Sequence, residues 1–111
     1  GLIATPAGVM LPVAKFPELL QAVKDLGEVM GPEKVVARIK KNNRQEVWVG
    51  KNIYKERSLI YVRTYMYYEG QQEPRPTRKG VSMNVELYPA LLQAVEKLAE
   101  AIAALDKADS S

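Results

Sequence analysis

The stretch SLIYVRTYMYY, residues 58–68, decides the fold. Side chains along a β-strand alternate between two faces. One face of this stretch holds Ile60, Val62, Thr64 and Met66, a row suited to a core. The other holds Leu59, Tyr61, Arg63, Tyr65 and Tyr67. Such a face has two readings. Its rings can pair across strands and stabilise the sheet. They can also stack on the bases of a single strand while cations meet its phosphates, at roughly 1–3 kcal/mol per stacked base. The strand alone does not separate the two.

Shorter strand candidates lie on either side: VVARIK (35–40), EVWV (46–49) and GVSMNV (80–85). Turn residues join them, at Asn42-Asn43, at Gly50-Lys51-Asn52 and in the loop EGQQEPRPT, residues 69–77. A helix follows. Leu91, Val95, Leu98, Ile102 and Leu105 step by four and three, a narrow apolar stripe able to pack on the chain's own sheet or on a partner helix. An earlier helix, residues 16–30, repeats the pattern with Leu19, Val23, Leu26 and Met30.

The earlier helix belongs to an internal repeat. GVMLPVAKFPELLQAVKDL (8–26) matches GVSMNVELYPALLQAVEKL (80–98) without a gap at an offset of 72, with ten of nineteen positions identical. Thr5 and Thr77 extend the match. Each copy reads as a strand and then a helix with Pro17 or Pro89 in or near its first turn, where proline is tolerated. Gly31-Pro32 is a linker signal. The expected fold is α+β: a four-stranded antiparallel sheet and a C-terminal helix over residues 32–105, an extra strand-helix unit over 1–31, and a frayed tail over 106–111. Because the offset is about one domain long, the chain reads as the end of one copy followed by a whole second copy. Residues 1–31 then continue an upstream copy or pack beside the domain as an extra layer.

Charge is divided along the chain. Residues 34–79 carry twelve Lys/Arg and four Glu, a balance of +8, while the remainder carries four Lys and nine acids, −5, giving the net +3. A basic block attracts polyanions in a salt-dependent way. Here it surrounds the tyrosine face, and it favours the stacking reading. Trp48 and Tyr54 add aromatics, although Trp48 suits a core equally.

The chain has no Cys and no His, which excludes disulfides, thiolate metal sites and the commonest general base. No phosphate-binding glycine loop is present: GKN at Gly50 lacks the upstream glycine and the Ser/Thr after the lysine. Neither an enzyme nor a bound metal or cofactor is expected. No apolar run reaches the ~20 residues of a membrane span, and no signal segment opens the sequence. The expected setting is intracellular and DNA-associated, in nucleoid, cytoplasm or nucleus.

IKKNNR, YKERSLIYVRTY, PTRKGVSMN and the helix that follows resemble the single-stranded-DNA-binding domain of the transcriptional positive cofactor four family, over residues 36–98. The resemblance implies four antiparallel strands followed by a helix, and a homodimer built through helices and sheet that holds single-stranded or melted DNA. It implies DNA contacts from Tyr54, Lys55 and Arg57, from Arg63, from Arg78 and Lys79, and from Lys40 or Lys41. An aromatic that the family carries late on its third strand falls near Met66, where Tyr65 or Tyr67 can substitute. Residue chemistry adds Arg44, Tyr61 and Arg75 to the candidate contacts. The stripe Leu91, Val95, Leu98, Ile102 and Leu105 is the candidate dimer interface. The expected function is non-catalytic single-stranded DNA binding in transcription, replication or repair. RNA binding and an oligomeric protein-interaction module are the alternatives.

Overall fold

A computed structural model describes residues 1–110. In chain order the elements are β1 (Leu2–Ala4), β2 (Met10–Pro12), α1 (Phe16–Leu26), β3 (Lys34–Lys40), β4 (Gln45–Tyr54), β5 (Arg57–Met66), β6 (Arg75–Asn84) and α2 (Tyr88–Ser110). A single 3-10 turn precedes each helix, at Val13–Lys15 and Val85–Leu87. The last four strands form one antiparallel sheet in the order β3-β4-β5-β6. β1 and β2 form a separate hairpin.

The alternation along β5 holds at Ile60, Val62 and Thr64, while Met66 is only half-buried and Tyr61, on the opposite face, is buried too. Ile60, Val62 and Thr64 are fully buried, and they share their face with Val47 and Val49 of β4 and Ile39 of β3. Both helices pack on this face. Leu19, Val23 and Leu26 of α1 join Leu91 and Val95 of α2 in the same core. α1 accepts Pro17 because the first-turn N–H groups have no helical partner to lose. Its C-terminal carbonyls of Val23 and Lys24 accept hydrogen bonds from the Tyr88 hydroxyl at 2.6 and 3.3 Å. Lys51 Nζ donates to the carbonyl of Val29 at 3.0 Å and ties the chain after α1 to the sheet.

Several boundaries differ from the sequence expectation. β4 runs straight through Gly50-Lys51-Asn52, which reads as a turn. Gly50 sits opposite Tyr61, and a Cβ there would lie 2.6 Å from the Tyr61 hydroxyl. The glycine is a seat for that ring rather than a bend, one of the meanings glycine has within a strand. β6 begins at Arg75, inside the expected loop, and β5 ends before Tyr67. α1 stops at Leu26, and α2 continues through residues 106–110 instead of fraying at Asp106.

The segment from Ala7 to Leu26 forms a layer of the core, while the residues that follow it up to Gly31 are mostly exposed. Ala7, Val9 and Leu11 are buried along with five residues of α1. This changes the account of the α2 stripe. Leu91 and Val95, expected at a dimer interface, are 5% and 0% exposed within the single chain. Leu98 and Ile102 are partly buried against the same core, and only Leu105 is largely exposed.

One core position is imperfect. The Thr64 hydroxyl is buried without a hydrogen-bond partner among the described residues. An unpaired buried hydroxyl costs about 1–3 kcal/mol. Thr64→Val keeps the shape and removes the orphan. It is expected to raise stability by about 1 kcal/mol in urea denaturation.

Candidate nucleic-acid interface

The face of the sheet opposite the helices carries the aromatic row. Its parity is fixed by cross-strand pairing: Arg38 faces Trp48, Trp48 faces Arg63, Glu46 faces Tyr65, and Tyr54 faces Arg57. Trp48 and Tyr65 stack with ring centroids 3.9 Å apart and planes within 8°. Arg38, from the strand on the other side of β4, lies 4.5 Å from the Trp48 ring centroid. The three form a stack running across β3, β4 and β5, each contact an attraction of the kind aromatic pairs and cation–π pairs supply.

Glu46 fixes that stack. Its carboxylate accepts from Arg38 Nε at 3.0 Å, from Trp48 Nε1 at 2.9 Å and from the Tyr67 hydroxyl at 3.2 Å, while Arg38 also donates to Tyr67. Partial burial works against ionisation of Glu46. The donors from Trp48, Arg38 and Tyr67, with the charge of Arg38, outweigh it and hold the carboxyl below its ordinary value. A depressed carboxylate stabilises the fold above its unfolded value of about 4.3 and loses that contribution as pH falls through the lower folded value. Stability measured from pH 6 downward is therefore expected to drop in that window, and Glu46→Gln is expected to flatten the drop.

Cations frame the stack. At one end of the sheet, Lys55 and Glu56 make the two-residue β4–β5 hairpin turn with φ of 49° and 64°. Positive φ at both central residues is the backbone of a type I′ turn, whose twist matches that of the strands. The tip exposes Tyr54, with Lys55 Nζ 5.4 Å from its ring centroid, and Arg57 beside them. At the other end lie Lys40, Lys41 and Arg44, around the β3–β4 turn, and Arg75, Arg78 and Lys79 of β6. Between Arg63 and Tyr65 the β5–β6 register shifts, with Arg63 opposite Gly80 and Tyr65 opposite Pro76. The extra β6 residues bulge, held by Thr77 Oγ1 donating to the Thr64 carbonyl at 2.8 Å, and Arg78 and Lys79 are exposed there. Burial, and then the charge of Lys79, lower the Lys41 ammonium below its ordinary value, so the two cations share one field.

Arg63 donates to the Thr77 carbonyl and to Ser82 Oγ, both at 3.1 Å, and so holds β6 in place. Tyr61 is 7% exposed, with its phenol over Gly50. Its ring is spent on packing and is withdrawn from the candidate contacts. Tyr67 is committed to Arg38 and Glu46 through its hydroxyl. Trp48 lies on this face, and Arg38 and Glu46 join it there. The alternation Val47-Trp48-Val49 carried the signal for Trp48. For Arg38 and Glu46 the signal is pairing between strands, which no single stretch contains.

Residues 39–94 match the family described as Transcriptional Coactivator p15 (PC4), half of the chain. The chain belongs to that family. Among solved structures, the tetragonal crystal form of a PC4 homolog from Burkholderia pseudomallei K96243 superimposes with a TM-score of 0.55 at 24% identity, over 60% of this chain and 97% of that one. The orthorhombic form gives 0.54 at 22% identity, over 64% and 95%. At these identities the likeness establishes the fold. Comparison with curated proteins returned no match. The PC4 match begins at Ile39, so the strand-helix unit before the sheet lies outside it.

Proposed function

We propose that this PC4-family chain is a non-catalytic binder of single-stranded DNA, acting inside the cell where strands are exposed in transcription, replication or repair. The observation that carries the reading is the stack of Arg38, Trp48 and Tyr65 on the helix-free face, with cations at both ends of the same sheet. A single strand crossing this face meets Lys55 and Arg57 at one end and Arg78 and Lys79 at the other. Its bases meet Tyr54 and the rim of the stack. Unpaired bases expose the ring faces that such a surface can use, and a duplex hides them. Arg63 acts from beneath by holding the β6 bulge that presents Arg78 and Lys79.

Fluorescence anisotropy with a labelled single strand of about 20 nucleotides tests this, since that length exceeds the ~4–16 nucleotides a comparable stacking fold covers. Tight binding to the single strand, weak binding to its duplex and a steep loss with salt are expected. Equal affinity for both forms would reduce the surface to a phosphate contact and return the aromatics to sheet stability. The same titration with RNA of the same sequence reads the preference between the two sugars.

A further inference from the structure

We propose that residues 1–27 are a built-in partner: they pair in cis with the strand-helix unit at residues 77–99 about a local two-fold axis, and so close the helix face of the domain within one chain. Four independent observations meet on this. The two segments are copies at an offset of 72, and both adopt the same succession of strand, 3-10 turn and helix, Val13–Lys15 answering Val85–Leu87 and Phe16 answering Tyr88. Even the residue before each turn agrees, Pro12 at φ −58°, ψ 139° and Asn84 at φ −57°, ψ 142°.

The second observation is burial. Equivalent positions point into the same core: Leu19 and Leu91 are 0% and 5% exposed, and Val23 and Val95 are both 0%. The third is reciprocity. In a two-fold pair, if residue i of one copy touches residue j of the other, then j of the first touches i of the second. Tyr88 and Pro89, at the start of α2, share a cleft with Leu26 and Gly27 at the end of α1. Phe16 and Pro17, at the start of α1, share a second cleft with Ala99 and Ile102 of α2. Gly27 plus 72 is Ala99, and Phe16 plus 72 is Tyr88. The two clefts thus bring equivalent positions together, Tyr88 and Pro89 with Gly27 in one, Phe16 and Pro17 with Ala99 in the other.

The fourth observation is the axis. Only residues close to a two-fold axis can touch their own equivalents. Gly8 and Gly80 are equivalents, and a Cβ built on Gly8 would lie 3.3 Å from the carbonyl carbon of Gly80. The N-terminal copy is also completed locally. Where β6 pairs with β5, the first copy folds back on itself, β1 pairing with β2 through a turn in which Thr5 N–H and Oγ1 both donate to the Val9 carbonyl.

The partner that this helix face fits is therefore a second copy of its own strand-helix unit, and the chain carries that copy. The test uses the intact chain. Equal amounts of isotope-labelled and unlabelled protein are mixed, unfolded and refolded together, and nuclear Overhauser contacts between the Tyr88 ring and Gly27 are collected with and without a filter that passes only contacts between chains. The expected result is a strong contact in the unfiltered spectrum of the fully labelled protein and none in the filtered spectrum of the mixture. A contact in the filtered spectrum would mean that the units pair between chains and would overturn the proposal. So would absence of the Tyr88–Gly27 contact from both spectra, which would mean that the two units do not pair.

Discussion

Gly80→Ala is expected to destabilise the protein by about 3 kcal/mol or more, combining backbone strain of order 1–3 kcal/mol with a steric clash. Gly80 holds φ at +135°, and its missing side chain is where β5 passes. A Cβ would lie 2.2 Å from the Val62 carbonyl oxygen and 2.6 Å from the Arg63 Cα. Both are backbone atoms, so nothing soft can yield. The β6 bulge that follows from this crossing presents Arg78 and Lys79, so binding is expected to weaken along with stability. At about 4 °C per kcal/mol for a domain of this size, the melting temperature is expected to fall by about 12 °C. Gly70→Ala is the control. It also has positive φ, 79°, but open space around the new methyl group, so only the strain remains. Thermal denaturation of the two variants side by side separates close approach from backbone strain.

Replacing Arg75, Arg78 and Lys79 together by alanine is expected to cut single-strand affinity about a hundredfold at 0.1 M salt. Each phosphate contact to a single strand contributes a slope of about 0.7 in the logarithm of affinity against that of salt. Three contacts therefore give a slope change of about 2, which is about two decades between 1 M and 0.1 M. All three residues are exposed, so the fold is expected to melt as before. Anisotropy titrations over a salt series, with circular dichroism of the variant, check both halves. An unchanged slope would remove this end of the sheet from the binding surface.

The sequence made some of this legible and hid the rest for physical reasons. The period-two pattern of β5 named Ile60, Val62 and Thr64 of the buried row, which answer to a local rule that needs no knowledge of neighbours, whereas Met66 at the strand's end is only half-buried. The repeat was legible for the same reason, since identity at a fixed offset is a property of the chain alone. What the tyrosines do was not legible. Tyr61 finds a glycine opposite it, Tyr65 a tryptophan diagonally across and Tyr67 a glutamate on the neighbouring strand, and each fate depends on a register that folding sets. Gly50 was misleading because its commonest meaning is a turn, whereas here it makes room for a ring. The α2 stripe was real, but α1 had already claimed Leu91 and Val95 for the core.

Trp48 is the chain's one tryptophan, and it stands at the centre of the proposed surface. Its emission during titration with an unlabelled single strand of about 20 nucleotides, longer than the ~4–16 a comparable fold covers, reads that surface directly. The account predicts that emission changes in step with binding, saturates at the same ratio as anisotropy, and barely moves with duplex. Saturable binding that leaves Trp48 emission untouched would place the nucleic acid elsewhere on the molecule and contradict it.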